Sequence, residues 1–187
     1  MQVREIAEAI VCSEDIEFKL AALPEDLEDN EPGPAQRIEK PGRPAGLVPR
    51  PIREARVPSV RGYHDPRQRA RILHSFANHE LQAVELFAWA LLAFPDAPPD
   101  YRAGLLRILT EEQRHTRMYI ARLEKLGGEL GDHPVSGYFW NKTPQLTTPL
   151  RFACAMSLTF ENANLDHTTD SAAEILKSGD RKTAEVI

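Results

Sequence analysis

An all-α helix bundle is the fold this sequence predicts. Three long segments carry apolar residues at i, i+3, i+4 and i+7, none alternates over strand length, and Asp, Pro and Gly punctuate the segment ends. With 187 residues, 42% of them hydrophobic and 27% charged, the chain is long enough for one globular domain with a sizeable core.

Residues 1–23 are predicted to form a helical clasp. Ile6, Ile10, Ile16 and Leu20 recur at helical spacing, as one helix over Val3–Leu23 or two short ones broken near Ser13, with Ser13 as a cap before Glu14, Asp15 and Glu17. Residues 24–64 differ in composition: nine of the fifteen prolines fall between Pro24 and Pro66, with little periodicity, which predicts an extended, polyproline-like arm. Leu47, Val48, Ile52 and Val57 give it apolar residues to lay against the bundle; a wholly disordered linker is the alternative.

The bundle occupies 65–187. Asp65 as N-cap and Pro66 at the first helical position start a helix that runs to about Phe94 and stops before Pro95. A second helix runs from about Asp100 to Lys125 and ends at Gly127-Gly128, where glycine can take a left-handed cap. The connection from Gly131 to Pro149 is longer than a hairpin between bundle helices needs. A third helix spans about Leu150–Lys177, Ser178-Gly179-Asp180 breaks it, and Arg181–Ile187 reads as the opening turns of a fourth.

A net charge of −5 and a pI near 5.7 give no global reason to expect nucleic acid or an anionic membrane as partner. The charge is unevenly spread: between Arg37 and Arg71 there are ten Arg or Lys against three acids, +7, which leaves −12 for the rest. A solvated basic face is the simplest reading of that run. Cys12 and Cys154 fit no C-x-x-C pattern and read as buried free thiols of a reducing compartment. No signal-peptide pattern is present and no uncharged run approaches the ~18–20 residues that span a bilayer, so a cytoplasmic location without membrane association is expected.

The chemistry is carried by acids on apolar seams. In Thr110-Glu111-Glu112-Gln113-Arg114-His115, Glu112 and His115 are three residues apart and share a helix face, about one turn from each other. Glu80 interrupts the stripe Leu73, Ala77, Val84, Phe87, Leu91; Glu112 and His115 interrupt Leu105, Ile108, Tyr119, Leu123; Glu161 interrupts Cys154, Leu158, Leu165, Thr168. An ionised carboxylate in an apolar core costs several kcal/mol, and three facing one another add repulsion, so a shared cation is expected. Two kinds of donor, carboxylate and imidazole, suit iron, manganese or zinc better than calcium or magnesium. The competing reading turns one or two seams outward and pairs the acids with Arg71, Arg114 or Arg117.

Other polar residues are assigned lesser parts. Glu111 is predicted to face solvent, and Glu85, off the Glu80 seam, to be a surface acid or one hydrogen-bonded to a ligand. His64, His74, His79, His133 and His167 read as surface or satisfied core histidines, with His79 and His167 candidates for supporting the ligands. Tyr119 is a candidate hydrogen-bond donor beside the metal, and Trp89 and Trp140 read as packing.

The segments His79-Glu80-Leu81-Gln82-Ala83-Val84-Glu85-Leu86 and Glu111-Glu112-Gln113-Arg114-His115, followed by Leu123, Leu126-Gly127 and Gly131-Asp132, resemble a ferritin-like family of uncharacterised bacterial proteins related to the tRNA 2-methylthio-isopentenyladenosine hydroxylases. The basic, proline-rich arm is similar as well. The resemblance implies an antiparallel ferritin-like four-helix bundle, its long connection serving as the crossover, and a non-haem di-iron site built from Glu80, Glu112, His115 and Glu161. Glu112 and Glu161 are then the metal bridges, Glu80 and His115 terminal ligands. The Glu-x-x-His that the family carries on its fourth helix has no counterpart here: no His follows His167, and Glu185 has no partner three residues on. A truncated fourth helix is therefore expected, with a second subunit of a homodimer able to supply the missing ligands.

The function these readings predict is a di-iron oxidoreductase or hydroxylase acting on an unknown small molecule with an external electron donor. Metal storage, or a non-catalytic bundle with a vestigial site, is the alternative. A tRNA substrate would fit the basic arm but is not favoured, because the remainder is acidic and no pattern of stacking aromatics is present.

Overall fold

The computed structural model describes the backbone of residues 1–156 and 161–187, and the side chains of all of these except 161–167. Among the described residues the fold is an all-α helical bundle: α1 (Val3–Cys12), α2 (Ile16–Leu20), α3 (Pro66–Ala93), α4 (Pro99–Lys125), α5 (Pro149–Ala153), α6 (Glu161–Lys177) and α7 (Arg181–Ala184). No strand is present there, only isolated bridges at Gln2/Glu28 and Arg50/Ser136. None of these helices is long and apolar enough to cross a membrane.

The long helices start and stop for the reasons their sequence supplies. Asp65 accepts from the Arg67 amide at 2.9 Å with Pro66 at the first position, and Gly127 ends α4 at φ +79°, a conformation that costs other residues a Cβ clash. At the other end of the pair, the buried Arg102 of α4 donates to the Leu91 and Phe94 carbonyls at 2.8 and 3.1 Å, satisfying acceptors that the end of α3 leaves open. Asp29 holds the same guanidinium by two bonds of 2.6 Å, so the arm is fastened to this corner as well.

α3 is the spine. From Leu81 to Pro95 every residue is buried, which a helix on one side of a bundle does not achieve. The run Leu86-Phe87-Ala88-Trp89-Ala90-Leu91-Leu92-Ala93-Phe94 contains no polar side chain, and all its faces are covered: α4 on one side, α1 on another, and Leu47 of the arm with Trp140, Leu146 and Phe152 over the rest.

The arm lies on the helices; apart from short 3-10 turns at Ala45–Leu47 and Val60–Gly62 it is irregular, and many of its hydrogen bonds go to the helices. Arg4 donates to the Pro32 and Pro34 carbonyls, the Gln36 amide to Leu92 O, Trp89 Nε1 to Ile38 O at 3.0 Å, and the Gly42 amide to Val11 O at 2.9 Å. At Gly42 a Cβ would stand 1.9 Å from the Cys12 carbonyl oxygen, so only glycine permits this approach. Trp89 and Trp140 are thus more than packing, since both indole N–H groups are spent on named acceptors.

At the centre of these attachments is Glu85, fully buried and not the surface acid expected. Lys19 Nζ of α2 donates to it at 2.7 Å, Arg43 of the arm grips both oxygens at 2.8 and 2.7 Å, and Trp140 Nε1 donates at 2.8 Å. The surplus donors are also placed: Arg43 bonds Asn78 Oδ1 at 2.8 Å, and Lys19 bonds the Val11 carbonyl at 3.3 Å. Burial lowers the Lys19 pKa, and the adjacent Glu85 charge works against that fall.

The amino-terminal break falls at Ser13 as predicted, but the cap of α2 is Asp15, which accepts from the Phe18 amide at 3.2 Å while Ser13 Oγ accepts from Asp15. Both cysteines are free, yet exposed instead of buried. For Cys154 the cause is local: Phe152 and Met156, two residues to either side, are buried, which leaves Cys154 on the opposite side of that turn. At the carboxyl end Gly179 (φ +84°) turns the chain, and Asp180 caps α7 while pairing with Arg69 and Arg122 at 3.0 and 2.7 Å. Burial tends to raise the Asp180 pKa; the Thr183 hydrogen bonds and the two arginines outweigh it, and the net shift is downward.

The start of the loop after α4 is held by His74, whose buried Nε2 accepts from the Gly131 amide at 3.0 Å and from His133 at 3.4 Å. Burial, then the neighbouring His133 and Arg71 against an opposing Asp132, lowers its pKa from 6.5 to about 4. Two outcomes follow. Replacing Glu85 with Ala strands Lys19 and Arg43 in the interior and is expected to lower the unfolding free energy by about 3–5 kcal/mol in urea titrations; a loss below about 1 kcal/mol would show the network to be dispensable. The unfolded chain takes up a proton on His74 below its ordinary pKa of 6.5 and the folded chain only near pH 4, so stability falls across that window, by roughly 3 kcal/mol in total. His74→Gln, which can still accept from the amides, should flatten that part of the pH–stability curve; an unaltered curve would remove His74 as its cause.

Candidate metal centre

α3 and α4 lie antiparallel, and their packing brings together the three described residues of the predicted ligand set. Glu80, Glu112 and His115 each offer one ligand atom, and these atoms lie within 4.8 Å of one another. Among the described residues this is the one group of three or more His, Cys, Asp or Glu arranged in that way. The geometry follows from the sequence: Glu112 and His115 are one turn apart on α4, and Glu80 arrives from the facing helix.

The cluster sits at the rim of the helix pair. The buried stripe of α4 runs through Arg102, Leu105, Leu109, Gln113, Thr116, Tyr119 and Leu123, which puts Gln113 inward and Glu112 and His115 at its edge. The Glu112 side chain is 12% exposed and that of His115 39%, so the site is closed beneath and open on the imidazole side. His115 Nδ1 lies 3.3 Å from Glu112 Oε2, and its Nε2 faces Arg114 Nη2 at 3.4 Å. Thr116 fixes the backbone there by donating to the Glu112 carbonyl at 2.7 Å.

Tyr119 forms the inner wall. Burial, reinforced by the nearby charges of Glu80 and Glu112, pushes its pKa well above the ordinary value, so the phenol stays protonated at neutral pH. Its ring lies 5.7 Å from that of Phe76, which in turn is 6.3 Å from the imidazole of His79. Glu111 is exposed, as its place in the helical period predicts.

Glu161 opens α6, and its side chain lies outside the described residues, as does that of His167. Gln113 turns out to have a structural role that its sequence position concealed: Nε2 donates to the Lys19 and Ala21 carbonyls at 2.8 and 2.9 Å, and Arg117 donates to the Leu20 carbonyl, so α4 clamps the end of α2 directly beside the cluster. The signal for it was available only as an amide at a buried helical position. Nothing in the spacing named its partners, which are more than 90 residues away.

A family model described as "Protein of unknown function (DUF455)" matches residues 3–187, and the chain belongs to that family. Comparison with curated proteins and with solved structures gives no match.

Proposed function

We propose that this chain is a ferritin-like, iron-dependent oxidoreductase, with Glu80, Glu112 and His115 as metal ligands and Glu161 as the further ligand of a di-iron carboxylate site. The observation that carries the reading is the convergence of two carboxylates and an imidazole from facing helices, within 4.8 Å, on a wall of buried aromatic side chains. The donor set fits: mixed oxygen and nitrogen ligands suit iron or manganese, and the three atoms are spaced to share one ion. Iron held there would supply dioxygen reduction at the expense of electrons from an external donor.

The protein's own contribution is positional and electrostatic. Glu80 and Glu112 concentrate negative charge where a cation is to be held, and α3, buried from Leu81 onward, keeps Glu80 from withdrawing. Tyr119 holds a proton at its phenolic oxygen next to both carboxylates, in reach of the centre as a neutral donor. Phe76 and Tyr119 exclude water from the inner side, and the exposed edge of His115 leaves an approach for a small organic substrate.

Anaerobic titration of the chain with ferrous ion, read by metal analysis after desalting, tests this. Bound iron is expected in the unaltered protein, and Glu112→Ala or His115→Ala should weaken retention at least about tenfold. Metal content unchanged in Glu112→Ala, or no retained iron in the unaltered chain, would refute the site. Oxygen uptake by the iron-loaded protein in the presence of a reductant separates turnover from storage.

A further inference from the structure

A second cleft lies on α3, opposite in charge to the carboxylate cluster. Arg56 and Val57 of the arm, Arg71, Ser75 and His79 of α3 and His133 of the loop after α4 line a small concavity that opens to solvent. No carboxylate is among its lining residues.

Two of these cations have no acid assigned to them. Elsewhere in the basic segment the arginines near the helices are committed: Arg43 to Glu85, Arg69 to Asp180, and Arg37 to the Leu146 and Thr147 carbonyls and the faces of Trp89 and Phe94. Arg56 and Arg71 form no ion pair among the described residues, and both line one concavity. Arg50, Arg61 and Arg67 also form none, but they lie outside the cleft as separate exposed charges. The positive potential of the concavity is felt by a group already in place: beyond burial, His133 and Arg71 both depress the basicity of His74, against an opposing Asp132.

We propose that this cleft binds the phosphate group of a small phosphorylated molecule or free phosphate, held by Arg56 and Arg71. A guanidinium fork presents paired N–H donors matched to the oxygens of a phosphate, and two of them match its double negative charge better than the single charge of a carboxylate. The Ser75 hydroxyl adds a neutral donor, and Val57 offers an apolar wall to any organic group the phosphate carries. The assignment is independent of the metal reading, because none of Glu80, Glu112 and His115 lines the cleft.

The test is calorimetric titration of metal-free protein, in chelator and at fixed moderate salt, with phenyl phosphate and separately with inorganic phosphate. Saturable millimolar or tighter binding of at least one is expected, and which of the two binds more tightly distinguishes an ester from the free ion. The double variant R56A/R71A should lose at least tenfold in affinity, and R56A alone, at an exposed position that does not threaten folding, at least threefold. R53A/R61A, which removes the same charge outside the cleft, should stay within twofold. Absence of saturable binding overturns the proposal. So does an equal loss in the two double variants, or binding only of a single-stranded oligonucleotide, since either result describes a diffuse polyanion surface. Benzoate binding as tightly as phenyl phosphate would also overturn it.

Discussion

The structure turns on a single buried carboxylate. Glu85 is reached by Lys19 from α2, Arg43 from the arm and Trp140 from the loop after α4, partners 66, 42 and 55 residues away in sequence. Ionised groups brought out of water in this way add little net stability unless every donor and acceptor is matched; taking one partner away is costly because the others remain. Here the matching is nearly complete, with Asn78 and the Val11 carbonyl absorbing the donors that Glu85 does not use. The result is specificity. Apolar surface alone would let the clasp, the arm and the loop slide over α3, and a bidentate guanidinium fixes them to one register.

That fixed register shapes the candidate metal centre. Glu80 and Glu85 are five residues apart on one helix, and at 3.6 residues per turn their side chains diverge by about 140°. Glu85 therefore points into the clasp, arm and loop while Glu80 points toward α4, where Glu112 and His115 stand. The clasp reaches the same place by another path, since Gln113 and Arg117 of α4 cap the end of α2 on either side of Thr116 and His115 in sequence. The amino-terminal segments so brace both helices that carry the cluster, although they contribute no member of it.

The helices and the three members of the cluster were legible in the sequence because most of their determinants are local. Asp65-Pro66, Gly127 and the break at Ser13 are effects of backbone geometry within a turn, and the spacing of Glu112 and His115 is a property of any helix. Glu80 could be placed because an acid in an otherwise apolar stripe is conspicuous. Glu85 was misread for the complementary reason: periodicity says which way a side chain points on its own helix, not what covers that face, and here the cover comes from an irregular arm without periodicity of its own. The unbroken apolar run from Leu86 to Phe94 was the available sign that α3 is enclosed on all sides, and an acid one residue before such a run belongs to the enclosure. Cys154 failed differently, since the face this turn buries is set by Phe152 and Met156, two residues to either side of it.

The basic segment shows the same limit from the side of charge. Counting residues between Arg37 and Arg71 gives one positive block, yet the structure divides it by neutralisation. Within the block, Arg43 is held by Glu85, which also binds Lys19, and Arg69 by Asp180, which also binds Arg122, so these two arginines are engaged inside the fold. What remains is decided by geometry: exposed arginines along the arm, screened by solvent and salt, and the two that line one concavity. A charge in a cleft with low-dielectric walls acts on a ligand more strongly than the same charge on an open surface. Arg56 and Arg71 thus differ in kind from Arg53 and Arg61 though nothing in composition separates them, and the same helix that presents carboxylates to α4 presents a cationic hollow to the arm.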